Sequence, residues 1–154
     1  MKSFLMLAGS IVIISMMLVT GYLVLQGIKS REQTPPGLVN GELTPCGMKP
    51  NAVCSRQSTD QAHYIAPIRW QGESLTPVLK IIEHLGGRVV SQDADYIAAV
   101  FSSKLFGFVD DLELLHNQAE GVIQVRAAAR VGYSDMGVNR QRVEALRQYL
   151  EQQE

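Results

Sequence analysis

From Phe4 to Ile28 the chain runs through 25 residues without a charge, FLMLAGSIVIISMMLVTGYLVLQGI. As an α-helix this stretch is about 37 Å long at 1.5 Å per residue, enough to cross a bilayer with some tilt. The competing reading is a cleaved signal peptide at Val19-Thr20-Gly21, but Tyr22-Leu23-Val24-Leu25 carries the apolar run past that site. We read residues 1–28 as a membrane anchor. The next stretch, 29–43, is polar and rich in Pro and Gly, as expected of a linker.

A domain is expected over 44–152, and its hydrophobic periods predict the elements. Residues 63–70, HYIAPIRW, have the composition of a short strand, with Pro67 placing it at an edge or an end. Leu75, Val78, Leu79, Ile82 and Leu85 then recur at helical spacing, with Ser74 or Thr76 to cap the start and Gly86-Gly87 to end the helix. Four strand candidates follow, at 88–91, 94–103, 108–115 and 121–130, and their short connections predict an antiparallel meander. A last helix over about 139–152 carries Val143, Leu146 and Leu150 on one face. The expectation is an α+β domain: an antiparallel sheet of four to five strands with two helices on one face, preceded by one transmembrane helix.

Charge changes this picture locally. The chain totals −1, yet residues 93–120 hold six acids against Lys104 alone, and 126–147 hold five arginines against Asp135 and Glu144. This balance lacks the unbalanced basic stripe of a nucleic-acid binder. Strand alternation puts Ile123, Val125, Ala127 and Ala129 on one face, leaving Gln124, Arg126, Ala128 and Arg130 on the other. The same reasoning sets Phe108, Leu112 and Leu114 toward the core, and Asp111 and Glu113 beside the arginines. A hairpin turning through about 116–121 would set Asp111 opposite Arg126 and Glu113 opposite Gln124. This acid and arginine lattice reads either as solvated cross-strand ion pairs or as a pocket in which Arg126 and Arg130, joined by Arg140 or Arg142, hold an anionic group. Asp110 has core parity and needs a partner, for which Arg142 is at hand.

The turn at 130–140, RVGYSDMGVNR, is not a nucleophile elbow: Gly132-x-Ser134-x-x-Gly137 is one residue too long, and no His follows Ser134. Tyr133 offers an aromatic wall beside the arginines, and Asn139 or Asp135 can cap the last helix. His63 is either a satisfied strand histidine or a general base, while a dipole contact near a helix end accounts for His84. Asp110, Asp111, Glu113 and His116 make a poor metal set, because alternation splits them between faces. No cofactor is implied.

Cys46 and Cys54 are the only cysteines. A bridge between them would persist only in an oxidising compartment. Two free thiols, a redox pair and half a metal site are the other readings. Lys2 and the amino terminus roughly balance Lys29 and Arg31, so the positive-inside rule leaves orientation open. The bridge reading favours a domain outside the cytoplasmic membrane.

Several motifs acting together carry a resemblance: Pro45-Cys46 with Pro50-Asn51, HYIAP at 63–67, FGFVDDLE at 106–113 and RVGYSDMGVNRQR at 130–142. They resemble the bacterial domain-of-unknown-function family 1499 across nearly the whole domain. That family has no established activity, and Arg126 and Arg130 coincide with its Arg-rich strand. Two departures matter. The family commonly has Cys directly after Pro-Asn, where this chain has Ala52, and Ser between the strand arginines, where it has Ala127-Ala128-Ala129.

The reading is therefore a single-pass inner-membrane protein anchored through residues 4–28, with an extracytoplasmic, non-catalytic domain that binds an anionic small molecule, a lipid headgroup or an envelope protein. Its candidate site is Arg126, Arg130, Tyr133, Arg140, Arg142, Asp111, Glu113 and His63. The alternative is a hydrolase using His63 with Asp111 or Glu113.

Overall fold

A computed structural model describes residues 2–56 and 60–152. Helix α1 spans Lys2–Arg31, and its segment Met6–Arg31 is, among the described residues, the one helix long and apolar enough to cross a bilayer. Two short strands follow, β1 (Leu38–Val39) and β2 (Glu42–Leu43), paired through Asn40-Gly41. Both turn residues have positive φ, 52° and 78°, the backbone of a two-residue hairpin turn that Asn-Gly favours.

Strands β3 (Ala52–Cys54) and β4 (Ile68–Arg69) precede helix α2 (Thr76–His84), and the meander β5 (Arg88–Gln92), β6 (Tyr96–Ser102), β7 (Val109–Asn117) and β8 (Val122–Ala129) leads into helix α3 (Val138–Glu151). The main sheet is antiparallel with order β3-β8-β7-β6-β5, and β4 pairs with β8 beside β3. It has six strands, not four to five. The extra strand β3 is three residues in a Pro- and Cys-rich stretch, too short to show a period. Of 63–70 only Ile68–Arg69 pairs as a strand, because Pro67 has no amide to donate; Tyr64 makes an isolated bridge to Cys54.

One sheet face packs on α2 and α3. Val78, Ile81 and Ile82 from α2 and Val143, Leu146 and Leu150 from α3 bury against Ile97, Leu112, Leu114, Ile123 and Val125. The α3 stripe is buried as expected; of the α2 stripe Leu75, Val78 and Ile82 are buried, Leu79 and Leu85 are partly buried, and Ile81 joins the core beside them. Thr76 donates its amide to Ser74 Oγ at the start of α2, and Asp135 accepts the amides of Gly137 and Asn139 at the start of α3.

The opposite face is covered as well. The polar segment read as a linker is helical as far as Arg31 and then crosses this face, where Leu43 packs with Tyr96, Ala98 and Leu115. Gly37 donates its amide to Glu113 at 2.8 Å. Cys46 and Cys54 form a disulfide with Cα atoms 5.9 Å apart, which ties the end of this strap to β3.

Candidate functional site

Glu113 and Asp111 lie where alternation put them, on the face away from the helices, but that face is not solvated: Glu113 is 0% exposed and Asp111 4%. The register also differs from the expected one. Glu113 stands opposite Arg126, and Asp111 opposite Ala128. β7 runs on to Asn117 and the turn takes only residues 118–121, closed by Gly121 at φ 62°, so the pairing moves by two residues. A shift of two preserves faces while changing partners.

Each buried acid accepts more than one hydrogen bond. Arg126 Nη1 donates to Glu113 Oε2 at 2.8 Å, while the Tyr96 hydroxyl and the Gly37 amide both donate to Oε1 at 2.8 Å. Burial first, then the bond to Glu113 and its charge, push the Tyr96 phenol above its ordinary value. Arg130 Nε and Nη2 donate to Asp111 Oδ1 at 2.9 and 2.7 Å. Its Nη1 reaches the end of α1, donating to the carbonyls of Ser30 and Gln33. The Ser30 carbonyl belongs to the last turn of the helix, which lacks intrahelical partners, and Gln33 lies two residues past its end.

The remaining arginines of the charged block are also occupied. Arg142 pairs with Asp110 at 3.0 Å, as its parity required, and its guanidinium lies 4.2 Å from the centroid of the Phe101 ring. Burial holds the Asp110 carboxyl above the usual range, against the pull of Arg142. Arg140 donates to the carbonyls of Tyr64 and Ala62, and Arg147 to those of Pro67 and Ala66. In the irregular HYIAP stretch the carbonyls of Tyr64, Ala66 and Pro67 are thus satisfied by α3, while that of His63 accepts the Cys54 amide. Two groups of motif residues, far apart in sequence, are one structural lock.

His63 is buried, with Nδ1 2.5 Å from Asp60 Oδ2 and Nε2 2.9 Å from the Lys49 carbonyl. Both neighbours accept, so both ring nitrogens are engaged, and the bond to Lys49 followed by that to Asp60 raises its pKa. Tyr133 is exposed. The eight candidate residues therefore do not converge: Arg126 with Glu113 and Arg130 with Asp111 share one covered sheet face, Arg140 and Arg142 leave α3 in other directions, and His63 and Tyr133 stand apart. Among the described residues no group of three or more His, Cys, Asp or Glu side chains is placed to hold a metal.

The cations that stay open lie outside the block. Arg31, at the end of α1, and Arg88, on β5, join Arg130 around a hollow of about 380 Å³ whose walls include Thr34, Val90 and Ser102. Neither Arg31 nor Arg88 has an acidic partner within ion-pair distance among the described residues. Sequence reasoning missed this hollow, because Arg31 and Arg88 sit in separate elements with no shared period.

These features fall inside a stretch that matches a family model. Residues 42–150 match the model described as protein of unknown function, DUF1499. The chain belongs to this DUF1499 family. The match covers β2 through nearly all of α3, so it includes the acid and arginine pairs and the His63 lock, and Arg88 of the hollow, while α1 and Arg31 lie before it. Neither the curated proteins nor the solved structures gave a match.

Proposed function

We propose that this DUF1499 protein is a non-catalytic, membrane-anchored module whose domain lies outside the cytoplasmic membrane and binds an anionic group in the hollow between Arg31, Arg88 and Arg130. The observation that carries this is the pair of cations, without acidic partners among the described residues, around a cavity large enough for a headgroup. Arg31 and Arg88 line the hollow from two separate elements, so an anion seated there would be attracted by both charges. Planar guanidinium groups suit phosphate or carboxylate oxygens. A lipid headgroup is the favoured ligand, because the hollow opens beside the last turn of α1, where that helix would leave a bilayer. The Cys46 to Cys54 bridge supports an oxidising compartment.

Hydrolysis by His63 with Asp111 or Glu113 finds less support. His63 has both nitrogens bonded elsewhere, and the two acids are bound to arginines on a covered face.

Thermal melting of the full chain in neutral detergent, with short-chain phosphatidylglycerol or with inorganic phosphate, tests the proposal. The expected result is a rise in melting temperature with the lipid that Arg31→Gln and Arg88→Gln abolish without lowering the basal value. Phosphate alone giving the full rise would move the ligand from lipid to a free anion. No rise with either, or a rise that both variants keep, would overturn the site.

A further inference from the structure

Outside α1, the large apolar side chains most open to solvent among the described residues are Met48, Met136, Leu105 and Tyr133. Scattered exposed apolar residues need no explanation, but three of these four sit on two turns that flank one helix. The turn between β6 and β7 carries Leu105, and its Phe106 carbonyl lies so close to α1 that a Cβ on Gly27 would fall 2.0 Å from it. The stretch between β8 and α3 carries Tyr133 and Met136. It shares with Tyr22, Leu23 and Gln26 of α1 a hollow of about 450 Å³.

Those α1 residues belong to the uncharged run. About 37 Å of apolar helix exceeds a hydrocarbon core of about 30 Å by about 7 Å, and each headgroup layer adds about 5 to 8 Å. The excess fits the end of the helix that the domain covers, with Tyr22 at the boundary where aromatic residues concentrate. Tyr22 lies six residues before Ile28, about 9 Å along the axis. Whatever touches α1 between Tyr22 and Gly27 therefore spans the headgroup layer, down to the hydrocarbon boundary. The charges on the two turns and in the hollow fit such a place: Lys104 is exposed beside Leu105, Asp135 is bonded to the amides of α3, and Asp110 in the hollow is bonded to Arg142.

We infer that the turns at 103–108 and 131–138 are seated in the interfacial layer of the bilayer that α1 crosses, with Leu105, Tyr133 and Met136 among the lipid headgroups. The domain is then fixed in height and orientation on the membrane rather than held off it. Continuity with the apolar surface of α1 makes lipid the occupant.

The test uses the full chain in nanodiscs of neutral phosphatidylcholine, so that it does not depend on the anion site. Leu105→Cys, Met136→Cys and, as control, Met48→Cys are labelled singly with an environment-sensitive fluorophore, the two native cysteines being bridged. Labels at 105 and 136 are expected to show blue-shifted emission and quenching by a lipid carrying a headgroup-level spin label, with neither effect at 48. Water-like emission at 105 and 136 would overturn the inference. So would shielding that appears only where cross-linking captures a second copy of the chain, which would make these turns a dimer surface.

Discussion

The guanidinium of Arg130 lies 2.9 Å from the carbonyl oxygen of Ser30, joining the end of β8 to the last turn of α1 across 100 residues of sequence. The same side chain neutralises Asp111, and both members of that pair are close to fully buried. Arg130→Ala removes a buried charge partner and takes away the guanidinium that donates to the carbonyls of Ser30 and Gln33. It is expected to cost about 3 to 5 kcal/mol in chemical denaturation of the full chain in detergent. Arg130→Lys keeps the charge but cannot bond Asp111 and the helix end together, and should recover only part of the loss. A cost under about 1 kcal/mol for the Ala variant would mean that α1 is not docked as described.

His63 makes stability depend on pH with a definite sign. Its folded pKa is raised, so its contribution is whole below the unfolded value of about 6.5 and is lost as pH rises through the folded value. Asp60, held below its ordinary value chiefly by the hydrogen bond from His63, contributes in the opposite direction, its share lost as pH falls through its folded value. The urea midpoint should therefore decline on the alkaline side of about 6.5. His63→Gln should lower the midpoint at neutral pH and flatten that decline, and an unchanged slope in the variant would assign it to other groups.

Face assignment was legible in the sequence, because strand side chains alternate with a period of two and Leu112, Leu114, Ile123 and Val125 declare the core side. Register was not. It depends on how tightly residues 118–121 turn, and the apolar pattern is the same for pairings two residues apart. Burial of Asp111 and Glu113 was hidden for a different reason: their cover is a polar strap with Pro and Gly, which reads locally as a spacer. Its Asn40-Gly41 turn was the available signal that this strap folds back on itself. The carbonyls that Arg140 and Arg147 reach on the 62–67 stretch are backbone groups, which no side-chain pattern announces. Arg142 with Asp110 was legible because a carboxylate at core parity demands a cation.

The Cys46 to Cys54 bridge makes a separate prediction. Protein purified without reductant should resist maleimide until a reductant is added, since both cysteines are paired and buried. The short loop suggests a contribution of about 2.5 kcal/mol by the chain-entropy relation. Because the bridge anchors the strap beside β3, reduction should also raise protease sensitivity across residues 33–45. Immediate labelling of both thiols in native protein would remove the bridge and, with it, the main support for an extracytoplasmic domain.

Glu113 and Arg126 now face each other, so the pair should behave as a buried one despite lying on the face away from the helices. Arg126→Ala leaves Glu113, with no exposed surface, bonded only by the Tyr96 hydroxyl and the Gly37 amide. The expected cost is about 3 to 5 kcal/mol, set by the uncompensated charge. Glu113→Gln in the Arg126→Ala background removes that charge while its amide oxygen can still accept from Tyr96 and Gly37. The double variant should therefore be more stable than Arg126→Ala alone, a coupling that a double-mutant cycle in urea would measure directly. Simple additivity of the two substitutions would show that the strap leaves this face open to water, and that the pair is no stronger than a surface contact.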